Sequence, residues 1–313
     1  MPKSASVFFY YKIIFDIFVF LSMILQKDKN MWAEYNIDAN AARRAYRPLG
    51  HMFIYRGFLD KQSSQFSKYS PSYLISNEML SEIVKWWACP ENKTALAVCG
   101  GGDMPLMLMG AGAKSVDTFD ISIHAYFVMR VKMHMMKNNF SIQKYYNVLE
   151  SLSASPCLSS CNRWDVVRDT FADNNDKYIL NYLENMRGYE IFGAFHMSKM
   201  FFMSDSEYNA AKSRVPKYFN FIWSDLYELP GRINGKKYDV IYLSNVLRYA
   251  NSGKQIYNII NKLSSNLKDD GIMIVDTLAS KNRIISDLLK SDKRFKYDFC
   301  CDTVYMHAQP KAR

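Results

Sequence analysis

The stretch that most constrains this chain is Leu96-Ala97-Val98-Cys99-Gly100-Gly101-Gly102-Asp103-Met104-Pro105. An apolar run of strand length ends in three glycines, an acid and, two residues on, a proline. Glycine tolerates unusual dihedrals and lets the backbone approach a ligand closely. Proline suits the first turn of a helix. The pattern predicts a strand buried on both faces, a tight turn and a helix starting at Pro105. That is the first βα unit of a nucleotide-binding α/β sheet.

The glycines alone admit several ligands. A dinucleotide fingerprint wants a third glycine three residues after the second; that position is Pro105, so the match stops at Gly100 and Gly102. Asp103 follows the last glycine, where a dinucleotide enzyme seats a pyrophosphate on a helix N-terminus. A carboxylate there repels phosphate and suits a cationic ligand, such as the ammonium and sulfonium of S-adenosylmethionine (SAM). A nicotinamide cofactor, or a structural turn with no ligand, stays open as the alternative.

Downstream, Gly110-Ala111-Gly112-Ala113 stops the first helix, and Ser115–Asp120 reads as the second strand. Asp120 ends it, at the offset where an acid takes ribose hydroxyls in sheets of this kind. Ser122 caps a helix carrying Ala125, Val128, Met129, Val131, Met135 and Met136, a core face rather than a set of cofactor contacts. Residues 140–218 then separate that helix from the next strand. That is far longer than an ordinary crossover, and the segment reads as a helical cap over the C-terminal edge of the sheet, with helices at Ile142–Leu152, Lys177–Met186 and Ser206–Arg214. Phe219–Asp225 is the third strand, and its terminal Asp225 is a candidate acceptor for the adenine amine or, equally, a turn aspartate. Tyr238–Asn245 is the fourth; its polar end, Ser244 and Asn245, faces the cleft. A helix over Lys254–Leu267, an Asp269-Asp270-Gly271 turn, a fifth strand over Gly271–Leu278, a helix at Arg283–Leu289 and a hairpin over Tyr297–Cys301 and Thr303–His307 complete the pattern.

The expected fold class is α/β: a doubly wound, mostly parallel, seven-stranded Rossmann-like sheet over residues 91–313, with the 140–218 insertion and a helical N-terminal extension over 1–90. In that extension Ser76 or Asn77 is placed to cap the helix leading into the first strand. Hydrophobic residues make up 49% of the chain, enough for a large core, and the net charge is +10. The lysines and arginines are scattered with no long basic tract, which favours a solvated basic surface over nucleic-acid binding. Cys89, Cys99, Cys157, Cys161, Cys300 and Cys301 form no disulfide framework and fit reduced thiols of the cytoplasm; no metal site is expected from them. Residues 7–25 approach a membrane span in length, but Lys12 and Asp16 interrupt them. Each central charge costs about 3 kcal/mol on insertion while each apolar residue gains about half a kcal/mol, so the balance is near zero. A helix packed on the domain or lying on a membrane, a true span, and an extension upstream of a start at Met31 stay open.

The order of these elements resembles the class I SAM-dependent methyltransferase fold over about residues 90–310. In that resemblance the usual acid two residues before the first glycine is Val98, a departure that leaves Asp103 as the replacement. Ala97–Asp103 followed by Gly112-Ala113-Lys114-Ser115-Val116-Asp117-Thr118-Phe119-Asp120-Ile121 also resembles a family related to betaine-lipid-forming enzymes, which transfer the 3-amino-3-carboxypropyl group of SAM to diacylglycerol. The Trp-Glu-Asp motif of the lipid enzymes is not present in residues 31–90. The resemblance implies SAM as cofactor, with Cys99, Gly100, Gly101, Gly102, Asp103, Asp120, Ile121, Asp225, Leu226 and Ser244 around it. A small-molecule or lipid acceptor follows, with peripheral membrane contact through residues 7–25. Asn245 would orient the acceptor and Tyr249 would serve as base; His124 is a further candidate. An RNA-modifying methyltransferase and a non-catalytic protein that keeps only the fold are the other readings.

Overall fold

The computed structural model describes residues 74–152 (except 77 and 79), 168–171, 179, 204–276 (except 234 and 251), 295–300 and 303–308. The expectations for residues 1–73, for the helices at 177–186 and 283–289, and for Cys157 and Cys161 lie outside these residues. Among the described residues no helix is long and apolar enough to cross a membrane.

A short helix α1 (Leu80–Ile83) runs on as a π-helical turn, Val84–Ala88, into strand β1 (Thr94–Val98). Then follow α2 (Asp103–Gly110), β2 (Ser115–Asp120), α3 (Ile123–Lys137), α4 (Ile142–Leu152) and α5 (Asp205–Arg214). The chain continues with β3 (Asn220–Trp223), α6 (Leu229–Arg232), β4 (Tyr238–Ser244), a 3₁₀ turn (Val246–Tyr249), α7 (Gly253–Ser264), β5 (Leu267–Asp276), β6 (Phe295–Cys300) and β7 (Thr303–Ala308). The sheet order is β3-β2-β1-β4-β5-β7-β6. The strands β1 to β5 are mutually parallel. The hairpin β6–β7 closes the sheet, with β7 antiparallel to β5.

β1 is the centre of this arrangement because Ala95 to Val98 can be buried on both faces, and they are. α2 lies on the connection from β1 to β2, α3 on that from β2 to β3, and α7 on that from β4 to β5. α7 owes its place to Ile256, Ile259, Ile260 and Leu263, one buried stripe at helical spacing, and to Ser252, whose side chain accepts from Gln255 N–H at its N-terminus. β5 starts earlier than the sequence suggests. The Asp269-Asp270-Gly271 turn survives inside it as a bulge: pairing steps from Tyr238↔Leu267 to Val240↔Ile272, and Asp270 takes φ +67°.

Of the described helices in the 140–218 segment, α4 lies against α3 and α5 against α2. α5 packs along α2 so closely that a Cβ on Gly110 would meet Ala211 N at 2.9 Å. Ser204 and Glu207 form a reciprocal cap at its start: Glu207 N–H donates to Ser204 Oγ, which donates to Glu207 Oε2.

Candidate cofactor site

The sheet reverses direction at β1, which lies between β2 and β4. In an open parallel sheet, ligands bind outside the carboxyl ends of the strands at such a switch point. What lies there is the glycine turn. Cys99 N–H donates to Phe119 O at 2.7 Å, and Gly102 N–H closes the turn onto Cys99 O at 2.6 Å. Gly100 and Gly102 both have positive φ, +51° and +82°, but their surroundings differ. A Cβ on Gly102 would strike Met129 of α3, at 2.8 Å from its Cβ and 2.9 Å from its Cα. A Cβ on Gly100 would meet nothing within 4 Å. Gly102 is needed for packing, whereas Gly100 opens toward space in which a ligand can lie. Gly101 is buried between them.

Asp120 stands beside the open face. Its Oδ2 accepts from Gly100 N–H and its Oδ1 from Ser122 N–H, each at 2.8 Å. Burial pushes this carboxyl up to about 6, against the opposing pull of N–H donors from Ser122, Gly100 and Ile121. β3 locks the position from the far side: Ser224 N–H donates to Asp120 O at 3.0 Å, and Trp223 Nε1–H to Ile121 O at 2.8 Å.

Asp103 lies behind the turn rather than in front of it. It is buried and in direct contact with the buried ammonium of Lys132, the two forming an ion pair inside the domain. Its other oxygen accepts from Ser76 N–H at 2.5 Å. Burial pushes the Asp103 carboxyl up and the Lys132 ammonium down, and each partner's charge opposes the other's shift. The cation that this acid faces is therefore part of the protein. Cys99 is also turned inward. Its thiol is pushed well up by burial, and its Sγ lies 3.5 Å from Ala125 O, so what it presents to the cleft is backbone.

On the other flank, β4 ends in Ser244 with φ +53°, a conformation costly for a residue with a Cβ. Ser244 Oγ donates to Glu78 Oε1 at 2.6 Å. Asn245 is buried and heads the turn that carries Tyr249; the Tyr249 side chain lies outside the described set. His124 is fully buried, and its pKa is lowered to about 4 by desolvation, so it is neutral at pH 7. Asp225 behaves as a turn aspartate: its Oδ1 accepts from Tyr227 and Glu228 N–H at 2.8 and 2.9 Å. Leu226 packs partly buried against the core.

The structure thus gathers Gly100, Asp120, Ser244 and Asn245 at one edge, and adds two residues the sequence reading missed. Lys132 had left a signal, since it sits three residues after Met129 and four before Met136, inside the apolar stripe of α3. Glu78 left none, because its contact spans 166 residues of chain.

No family model matches the sequence, and no curated protein matches it. Solved structures of similar shape include an rRNA methyltransferase, aviRa, from Streptomyces viridochromogenes, at 11% identity and TM-score 0.42, covering 78% of this chain and 87% of that one. The magnesium protoporphyrin IX methyltransferase from Synechocystis PCC 6803 with bound SAM aligns at 13% identity and TM-score 0.39, covering 94% and 97%. The N-methyltransferase NodS from Bradyrhizobium japonicum WM9 in complex with S-adenosylhomocysteine aligns at 9% identity and TM-score 0.36, covering 74% and 86%.

Proposed function

We propose that this chain is a SAM-dependent group transferase that moves the methyl or the 3-amino-3-carboxypropyl group to a small-molecule or lipid acceptor. The observation that carries the reading is the pairing of an open glycine, Gly100, with the Asp120 carboxylate at the switch point of the sheet. SAM, when bound, supplies a carbon activated by the attached sulfonium. The rest is positioning and exclusion of water by the protein.

A carboxylate has about four acceptor sites. With backbone N–H groups on each oxygen, Asp120 is rigidly aimed and still able to accept the two ribose hydroxyls. Gly100 lets the body of the cofactor lie against the turn, with Ile121 and Leu226 beside the adenine. Asp225 would take the adenine amine on Oδ2, since Oδ1 serves the turn. Asn245 heads the turn after β4 and would orient the acceptor, while Tyr249, three residues further on, would take the proton of a hydroxyl acceptor. A cytoplasmic protein that touches the membrane surface through residues 7–25 would suit a lipid acceptor.

Incubation with SAM followed by mass spectrometry of the small products tests the reading. S-adenosylhomocysteine marks methyl transfer and methylthioadenosine marks aminocarboxypropyl transfer. Asp120→Ala is expected to weaken SAM binding more than tenfold; an unchanged affinity overturns the cofactor assignment.

A further inference from the structure

We propose that the groove between the β3–β4 connection and the C-terminal end of α7 binds a nucleoside 5′-phosphate, at a site separate from the glycine turn and independent of the cofactor reading. The connection supplies Tyr227, Gly231, Arg232 and Gly235 to its lining, and the end of α7 supplies Lys262 and, just beyond the helix, Asn266. Its volume of about 770 Å³ lies within the range of small-molecule sites. A Cβ on Gly231 or on Gly235 would meet nothing within 4 Å. Along that side the backbone lies bare, and a ligand can approach it closely.

Asn266 is the polar group that gives the groove its selectivity. Only 3% of the residue is exposed. Its Nδ2 donates to Lys236 O at 2.9 Å, and its backbone is engaged by Leu263 O and Tyr238 N–H. Among the described residues nothing donates to its Oδ1. An amide fixed through its nitrogen leaves a rigid acceptor, which suits an N–H donor such as the exocyclic amine of a base. Tyr227 offers the flat surface. Its ring is 48% exposed, and its hydroxyl is tied to Gln255 Oε1 at 3.1 Å, so the ring is held for a base to stack on. The charge in the groove is positive: Arg232, Lys237 and Lys262 against the Glu228 carboxylate. Glu228 pairs with Arg232 at 3.5 Å. No carboxylate of the described residues pairs with Lys237 or Lys262. The negative end of α7 is already covered, because Lys237 Nζ donates to Ser265 O while Ser265 N–H and Oγ donate to Lys262 O. An aromatic face, a fixed acceptor and lysine charge in one groove match a base and its phosphate. Arg232, Lys237 and Lys262 come from separate elements, so no basic tract marks the site in the sequence.

Calorimetry on the full chain, with S-adenosylhomocysteine in excess, tests the proposal with adenosine 5′-phosphate and a short oligoadenylate RNA as probes. Binding of the mononucleotide supports it; a tighter oligonucleotide identifies a single strand as the source, and equal affinity identifies the free nucleotide. Binding of neither probe overturns it. Displacement of adenosine 5′-phosphate by S-adenosylhomocysteine also overturns it, because the nucleotide then sits in the cofactor site. Purine riboside 5′-phosphate, which lacks the amine, is expected to bind wild type at least about fivefold more weakly. Equal affinity overturns the proposal, as does inorganic phosphate binding as tightly as the nucleotide, since either marks a bare anion site. The variants are at exposed positions, where folding is least disturbed. Tyr227→Ala is expected to weaken adenosine 5′-phosphate roughly five- to a hundredfold, the range for loss of a stacking ring. Lys262→Gln is expected to weaken it about tenfold. Lys254→Gln, near the opposite end of α7, should leave it within about twofold. Unchanged affinity in Tyr227→Ala and Lys262→Gln overturns the proposal, and so does an equal loss in Lys254→Gln, which would mark general attraction to a basic surface.

Discussion

The two sides of the glycine turn teach opposite lessons from the same residue types. Behind it, Gly102 lies against Met129 and Asp103 pairs with Lys132, all of them buried. In front, Gly100 faces open space and Asp120 holds two backbone N–H groups at the mouth of the sheet. Each side has a glycine at positive φ and a carboxylate. One pair is consumed by packing, while the other stands at the carboxyl ends of the strands, where the proposed cofactor would lie. The difference lies in what arrives from elsewhere: α3 covers the back, and nothing described covers Gly100.

The largest expected effect is at the back. Lys132→Met leaves Asp103 buried without its cation and is expected to lower stability by about 3–5 kcal/mol in urea denaturation. The double variant with Asp103→Asn should lose far less than the sum of the two single changes; additive losses would mean that the pair is not the anchor described here. The deficit of Lys132→Met should shrink as pH falls. A folded-state carboxyl raised above its unfolded value takes up a proton on folding, so stability grows toward acid and is lost as pH rises through the folded pKa.

The two glycines offer a sharper contrast. Gly102→Ala is expected to cost about 2–4 kcal/mol, from the collision with Met129 and the positive φ together. Gly100→Ala has only the φ cost, about 1 kcal/mol, yet it should reduce SAM affinity tenfold or more by filling the ligand's space. If the two substitutions have the same stability cost and leave binding equal, the front and back do not differ as described.

The smallest effect is graded. In the proposed site Asp120, with its pKa near 6, would accept ribose hydroxyls as a carboxylate. SAM affinity measured by calorimetry should hold near pH 7 and fall as pH drops through about 6, approaching tenfold per unit below it. His124, with a pKa near 4, titrates well below this window. A flat profile between pH 7 and pH 5 would remove Asp120 from the binding interaction.

Much of this was legible in the residues. The apolar run Ala95–Val98, the glycines after it and the acid at Asp120 placed β1, the turn and β2, because burial on both faces, positive φ and strand length are local demands. Ser122 capped its helix where expected, and its side chain accepts from His124 N–H. Helix α4 covers Ile142–Leu152 as its pattern predicts. Asp225 divided the expectations evenly; its Oδ1 serves the turn, with backbone partners only two and three residues away, and the proposed adenine contact falls to Oδ2.

Local pattern determined which segments become strands and helices, and that one acid follows the glycine turn and another ends the second strand. It could not determine which way those acids face. Asp103 and Asp120 are both aspartates near glycines, and their fates depend on a lysine 29 residues along the chain in one case and on nearby backbone N–H groups in the other. Whether a carboxylate meets a lysine or a ligand is set by which helix packs against it, and Glu78 reaches β4 only because the fold closes a loop of 166 residues. Side-chain type and spacing carry the energy of burial; the partners of buried charge are chosen by packing, and only the tertiary structure contains them.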